Sequence, residues 1–194
     1  MEVGIQMIVT EYPNLISKSI CDDIIDMASP LLYKARVSDK AVEGYRVAEN
    51  CWLDFLGNSH LENIISFISK ETSLPIDNQE GIHIVRYKVG GEYKEHYDWF
   101  DFHENQSNVR LGGNRTHSFL IYLNDDFEGG ETKFPKLQKT IIPKLGKGVM
   151  WLNKLDGKCL EEALHAGLPV TKGEKWILIV WVREKSLKVN KTVI

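Results

Sequence analysis

Apolar residues in this chain follow two spacings, a helical one over the first third and an alternating one beyond it. Ile20, Ile24, Met27 and Leu31 recur at helical spacing behind Ser17, whose hydroxyl suits a first-turn cap, so a helix with one apolar stripe is expected there. A second helix is expected from the capping box Ser59-x-x-Glu62, with Leu61, Ile64, Ile65 and Ile68 on one face and Pro75 as its stop. Ile5 to Val9 reads as a short strand closed by a turn at Pro13-Asn14. Arg36 to Asn50 is polar and turn-prone and reads as a mobile loop.

Beyond Pro75 the runs shorten and become rich in Val, Ile, Trp and Tyr. Ile82 to Val89, Phe119 to Asn124, Thr132 to Phe134, Val149 to Asn153 and Trp176 to Val182 read as strands separated by Gly, Asn, Asp or Pro. Such a series predicts a mainly β fold, a sandwich or barrel, with the N-terminal helices as support. The glycine pairs 90-91, 112-113 and 129-130 fall at turns. None opens a helix after a strand, so a phosphate loop has no support, and no Gly-x-Ser-x-Gly elbow is present.

Composition narrows the field. The 194 residues, 43% hydrophobic, suit one domain over 1–194, with helical support over about 1–78 and a β core over about 79–185. No apolar run reaches membrane-span length and the first residues lack a secretory pattern, so a soluble, cytoplasmic protein is expected. A net charge of -3 without a dense basic block gives no reason to expect nucleic acid. The three cysteines, Cys21, Cys51 and Cys159, fit neither a disulfide framework nor a zinc knuckle and are expected reduced. The lysine-containing tail, 185–191, reads as a solvated end, and the sequence leaves the oligomeric state open.

The candidate chemistry starts at Tyr93-Lys94-Glu95-His96-Tyr97-Asp98. On a strand, residues two apart share a face, so His96 and Asp98 can grip one ion together. Of the six histidines, His60 and His103 are expected to be solvated, and His83 and His117 to lie in the core or a cleft. His165 differs because Lys175 follows it ten residues on, across a Thr171-Lys172-Gly173-Glu174 turn expected to fold back as a hairpin. Lys175 shares strand parity with Ile177, Ile179 and Trp181. An ammonium on an apolar face asks for an anion, Glu131 or another acid of the chain, unless the side chain snorkels out at the strand end.

Tyr87-x5-Tyr93-x2-His96-x-Asp98 is followed by Arg115, by Tyr122-Leu123-Asn124-Asp125 and by Glu128-Gly129-Gly130-Glu131-Thr132-x-Phe134-Pro135. His165-Ala166-Gly167-x-Pro169-Val170-x2-Gly173-x-Lys175-Trp176 completes the set. In this order the segments resemble the catalytic domain of the prolyl 4-hydroxylases, within the Fe(II)- and 2-oxoglutarate-dependent dioxygenases. The resemblance spans about Glu80 to Arg183 and implies a double-stranded β-helix, a jelly-roll barrel with the metal near its open end.

It further implies that His96, Asp98 and His165 ligate Fe(II), and that Lys175 pairs with the far carboxylate of 2-oxoglutarate. Tyr87, Tyr122 and Ser118 stand at cosubstrate positions, and Tyr93, Arg115, Arg46 and Glu80 at substrate positions. O2 is the co-reactant and ascorbate the reductant. Succinate and CO2 are the co-products, and a proline-containing peptide or protein is the substrate. Ala48 departs from the family, in which Ser is common two residues beyond the arginine. Loops Arg36 to Asn50 and Asp101 to Asn114 flank the expected mouth. The same chemistry on a free amino acid, another side chain or a small metabolite is the nearest alternative, and a non-catalytic metal-binding barrel is a more distant one.

Overall fold

Alternation along the long strands divides the interior in two. The computed structural model describes residues 8–34, 47–101 and 105–187. Its helices are α1 Lys18–Ala28, α2 Ser59–Thr72 and α3 Gln106–Gly112. Its first strands are β1 Val9–Tyr12, β2 Tyr33–Lys34, β3 Glu49–Leu53, β4 Ile82–Tyr87, β5 Tyr93–His96 and β6 Arg115–Tyr122. There follow β7 Glu128–Gly129, β8 Thr132–Phe134, β9 Lys139–Ile141, β10 Gly148–Leu152, β11 Lys154–Leu155 and β12 Lys158–Cys159. The last are β13 His165–Gly167, β14 Val170–Lys172 and β15 Lys175–Arg183.

An antiparallel seven-stranded sheet runs β1-β10-β6-β15-β4-β3-β2, and a four-stranded one runs β5-β13-β8-β9. Odd and even positions of the central strands face opposite ways. Ile82 and Ile84, Phe119 and Ile121, and Trp176, Leu178 and Val180 pack with Cys21, Ile24 and Ala28 of α1 and Leu61, Ile64, Ile65 and Ile68 of α2. Val85, Tyr87, Leu120, Tyr122, Ile177, Ile179 and Trp181 point the other way and meet Phe134 and Ile141 of the smaller sheet. The two facing sheets form the double-stranded β-helix, and its open interior lies on the second of these faces.

Several local expectations shift. The first described strand is Val9–Tyr12, pairing with β10; of the strand expected over Ile5 to Val9, residues 5–7 lie outside the described residues. Ser17 does cap α1, accepting from the Ile20 N–H at 3.5 Å. Leu31, however, is 52% exposed, because α1 ends at Ala28 and a Pro30-containing 3-10 turn carries Leu31 off the stripe. The cap of α2 is Asn58, not Ser59. Asn58 is the last extended residue, its Oδ1 accepts from His60 and Leu61 N–H at 3.1 Å each, and Glu62 reaches back to the Gly57 N–H at 2.9 Å.

Residues 49 and 50, expected in a loop, open β3, and the polar stretch after Asp101 contains α3. The Thr171 to Glu174 hairpin does not form as expected, since β14 pairs with β7 while β15 enters the large sheet between β4 and β6.

Candidate metal and cosubstrate site

β5 and β13 are neighbours in the smaller sheet with His96 and His165 directly opposite, so their rings meet with centroids 4.2 Å apart. Asp98 follows just past the end of β5. Its Oδ1 lies 3.8 Å from His96 Nε2 and its Oδ2 3.7 Å from His165 Nε2. One ligand atom from each of the three residues falls within 4.8 Å of the others.

Each imidazole is aimed by its far nitrogen. His96 Nδ1 lies 2.7 Å from Lys94 O and His165 Nδ1 2.9 Å from Ala163 O. A carbonyl only accepts, so both Nδ1 atoms carry the proton and both Nε2 lone pairs face the gap. Two neutral imidazoles and a carboxylate on one side of a gap fit a divalent transition metal, with the other side left open.

Burial raises the Asp98 carboxyl, but His165 and His96 in their protonated forms, with Arg115 and the Ser118 hydrogen bond, outweigh it and hold it down at about 2. The ring of Tyr93 stacks on His96 at 3.6 Å, and Trp151 packs against His165 at 4.7 Å.

Lys175 is 2% exposed, and its Nζ donates to Gly130 O at 2.6 Å. Glu131 adds a longer-range pull but is not its ion-pair partner. Burial lowers the ammonium to about 7 against that pull. The ammonium lies 5.3 Å from the Tyr87 ring and 5.4 Å from the Tyr122 ring. Gly167 of β13 faces it across the interior, which brings Lys175 to the His165 strand without a hairpin.

Tyr122 Oη and Thr132 Oγ1 share a 2.6 Å hydrogen bond. His96, Asp98, His165, Lys175, Tyr87, Tyr93 and Thr132 line one cavity of about 40 Å³, walled by Val85, Leu120, Trp151, Ile177, Ile179 and Trp181.

The other expected residues distribute differently. Ser118 is 0% exposed, and its hydroxyl donates to Asp98 Oδ2 at 2.5 Å rather than lining the cavity. Tyr122 is fully buried, behind Thr132. Arg115 and Glu80 form a two-pronged pair at 2.8 Å, which Arg183 joins at 3.0 Å. Arg115 also lies 3.8 Å over the Trp181 ring, next to the cavity wall. Arg46 and His103 lie outside the described residues, as does most of the loop from Arg36.

Sequence reasoning missed Thr132, Trp151 and the ladder Trp52–His83–Trp181. Trp52 stacks on His83 at 4.4 Å, and His83 lies 5.4 Å from Trp181. The signal for Thr132 was its place between the Gly129-Gly130 turn and Phe134. Trp52 gave none, since it follows the expected loop and fell in no expected strand.

Residues 82–183 match the family model of the 2OG-Fe(II) oxygenase superfamily. The chain is 34% identical over 176 residues to a protein of Acanthamoeba polyphaga mimivirus provisionally named a prolyl 4-hydroxylase, covering 89% of this chain and 72% of that one. It is 30% identical over 184 residues to the Bos taurus prolyl 4-hydroxylase subunit alpha-1, covering 91% of this chain and 34% of that subunit. It therefore spans about a third of the bovine relative. Among solved structures, the 2OG complex of the viral collagen prolyl hydroxylase from Paramecium Bursaria Chlorella virus-1 superposes with a TM-score of 0.72 at 28% identity, over 91% of this chain and 96% of that one. The same span that builds the barrel and gathers His96, Asp98, His165 and Lys175 in its interior is the span the family model covers, and the chain belongs to the 2OG-Fe(II) oxygenase superfamily.

Proposed function

We propose that this chain is a prolyl 4-hydroxylase acting on prolyl residues of a peptide or protein, with Fe(II), 2-oxoglutarate and O2, and with ascorbate as external reductant. The observation that carries the reading is the single cavity holding both the His96, Asp98, His165 set and the buried Lys175 ammonium. When bound, iron and cosubstrate supply the oxidising power that inserts oxygen into a C–H bond, with succinate and CO2 released.

The chain's own residues do the rest. His96, Asp98 and His165 hold the ion from one side. Lys175, with Tyr87 and the Tyr122–Thr132 hydroxyl pair nearby, receives the far carboxylate deeper in, where a charge-assisted bond is strong. Val85, Leu120, Ile177, Ile179 and Trp151 keep water from that region.

Towards the exterior, Trp52, which is 46% exposed, opens the aromatic ladder that ends at Trp181 on the cavity wall. Flat aromatic faces suit the pyrrolidine rings of an extended proline-rich chain, which carries little conformational entropy to lose. Arg115, held by Glu80, keeps Trp181 in place from its other neighbour, and Tyr93 covers His96 at the mouth. The relatives named for prolyl hydroxylation support the same substrate class.

The test incubates the protein with Fe(II), ascorbate, 2-oxoglutarate and a panel of proline-rich peptides, and follows mass and succinate. Addition of one oxygen to proline, matched by succinate, is expected. Unmodified peptides beside oxygen gained by free proline or another amino acid would transfer the reading to a small-molecule hydroxylase.

A further inference from the structure

Behind the carboxylate of Asp98 lies a buried chain of hydrogen bonds with one possible direction. Ser118 Oγ donates to Asp98 Oδ2 at 2.5 Å, and Asn153 Nδ2 donates to Ser118 Oγ at 2.9 Å. Ser118 and Asn153 are both 0% exposed. A carboxylate facing two imidazoles is ionised and only accepts, so the serine commits its one O–H to it. The serine oxygen is then left to accept, which requires an N–H and fixes the Asn153 amide with its nitrogen inward.

The backbone under both side chains is held in place. The Asn153 N–H donates to Thr116 O at 2.8 Å, and its C=O accepts from Leu160 N–H at 3.0 Å. Ser118 sits mid-sheet on β6, opposite Trp151 of β10 and Trp181 of β15.

Without that chain, the two oxygens of Asp98 are nearly equivalent, one 3.8 Å from His96 Nε2 and the other 3.7 Å from His165 Nε2. Distance does not choose between a one-oxygen and a two-oxygen grip on an ion. The hydroxyl does choose, because it occupies Oδ2, lowers its basicity and leaves Oδ1 the better donor. A two-oxygen grip would take one of the positions that two histidines and a carboxylate leave open. Building on the reading that His96, Asp98 and His165 hold Fe(II), we propose that Ser118, oriented by Asn153, is the positioning residue that keeps Asp98 a one-oxygen ligand and so keeps open a coordination position for 2-oxoglutarate.

The experiment titrates Co(II), whose visible absorption reports coordination number, into the wild type and variants, and then titrates 2-oxoglutarate into each Co(II)-loaded protein. Ser118→Ala is expected to bind Co(II) with an altered spectrum and to lose at least about tenfold in affinity for 2-oxoglutarate. Ser118→Thr restores both readings, and Asn153→Leu moves both in the direction of Ser118→Ala. If Ser118→Ala departs from the wild-type circular dichroism, Ser118→Cys takes its place with the same expected loss, since a thiol is a weak donor.

A folded Ser118→Ala or Ser118→Cys with wild-type spectrum and wild-type affinity for 2-oxoglutarate overturns the proposal while leaving the metal reading standing. Co(II) binding that is unaffected by His165→Ala overturns the metal reading itself, and this proposal with it.

Discussion

Replacing Lys175 by Met removes a charge while nearly preserving volume, and two effects of opposite sign follow. The ammonium is 2% exposed, and it donates to the neutral carbonyl of Gly130 at 2.6 Å. Its burial costs the cosubstrate-free fold free energy, as the lowering from 10.5 to about 7 reflects. Between about pH 7 and 10.5 the unfolded chain holds more protons at this group than the folded chain does, so its destabilising share shrinks as pH rises through that window.

Lys175→Met is therefore expected to stabilise the cosubstrate-free protein by a few kcal/mol near pH 7, seen as a higher Tm. On the role proposed for Lys175, the same change also removes the charge-assisted partner of the far carboxylate. A loss of about 1.5–3 kcal/mol raises the apparent KM for 2-oxoglutarate by roughly ten- to hundredfold. Because the ammonium must be protonated to pair, wild-type affinity for 2-oxoglutarate should fall above about pH 7, and that slope should vanish in Lys175→Met. An unchanged KM, or a wild-type affinity that is flat from pH 7 to 9, would refute the assignment of Lys175.

Three further outcomes are expected. Asn58→Ala should cost about 1 kcal/mol in chemical denaturation while Ser59→Ala stays close to wild type, since the cap bonds of α2 belong to Asn58. Gly130→Ala should lower both stability and affinity for 2-oxoglutarate, because Gly130 has φ +67° and a β-carbon there would stand 3.0 Å from Lys175 Cδ. Thermal melts and cosubstrate titration check the two effects separately. Trp52→Ala should raise the KM for a proline-rich peptide several-fold and leave that for 2-oxoglutarate unchanged, since its ring reaches the cavity only through His83 and Trp181.

The features readable in the sequence are those with a local rule. Strand parity placed Lys175, Ile177, Ile179 and Trp181 on one face, and helical spacing placed Leu61, Ile64, Ile65 and Ile68 on another, as the two interior clusters have them. His96 and Asp98, two residues apart, meet at one gap, although Asp98 lies past the strand end. Long-range pairing obeyed no such rule. Which strands flank β15 decided how Lys175 reaches His165, and neither the turn residues nor the apolar run encodes that choice.

Ser118 shows the same limit at a single side chain. Parity put it on the interior face, but Asp98 lies 20 residues away and captures the hydroxyl before it can face the cavity. Asn153, 35 residues from Ser118, enters through tertiary contact alone. Glu49 and Asn50 fell in the expected loop and Cys51 to Leu53 in no expected strand, because the buried residues of β3, Asn50, Cys51 and Leu53, do not alternate with polar ones.

The most direct measurement is anaerobic titration of the protein and its single variants with Fe(II). One ion per chain is predicted for the wild type, with binding lost in His96→Ala, Asp98→Ala and His165→Ala alike and retained in Lys175→Met. Fe(II) bound as tightly by His165→Ala as by the wild type would contradict the shared site.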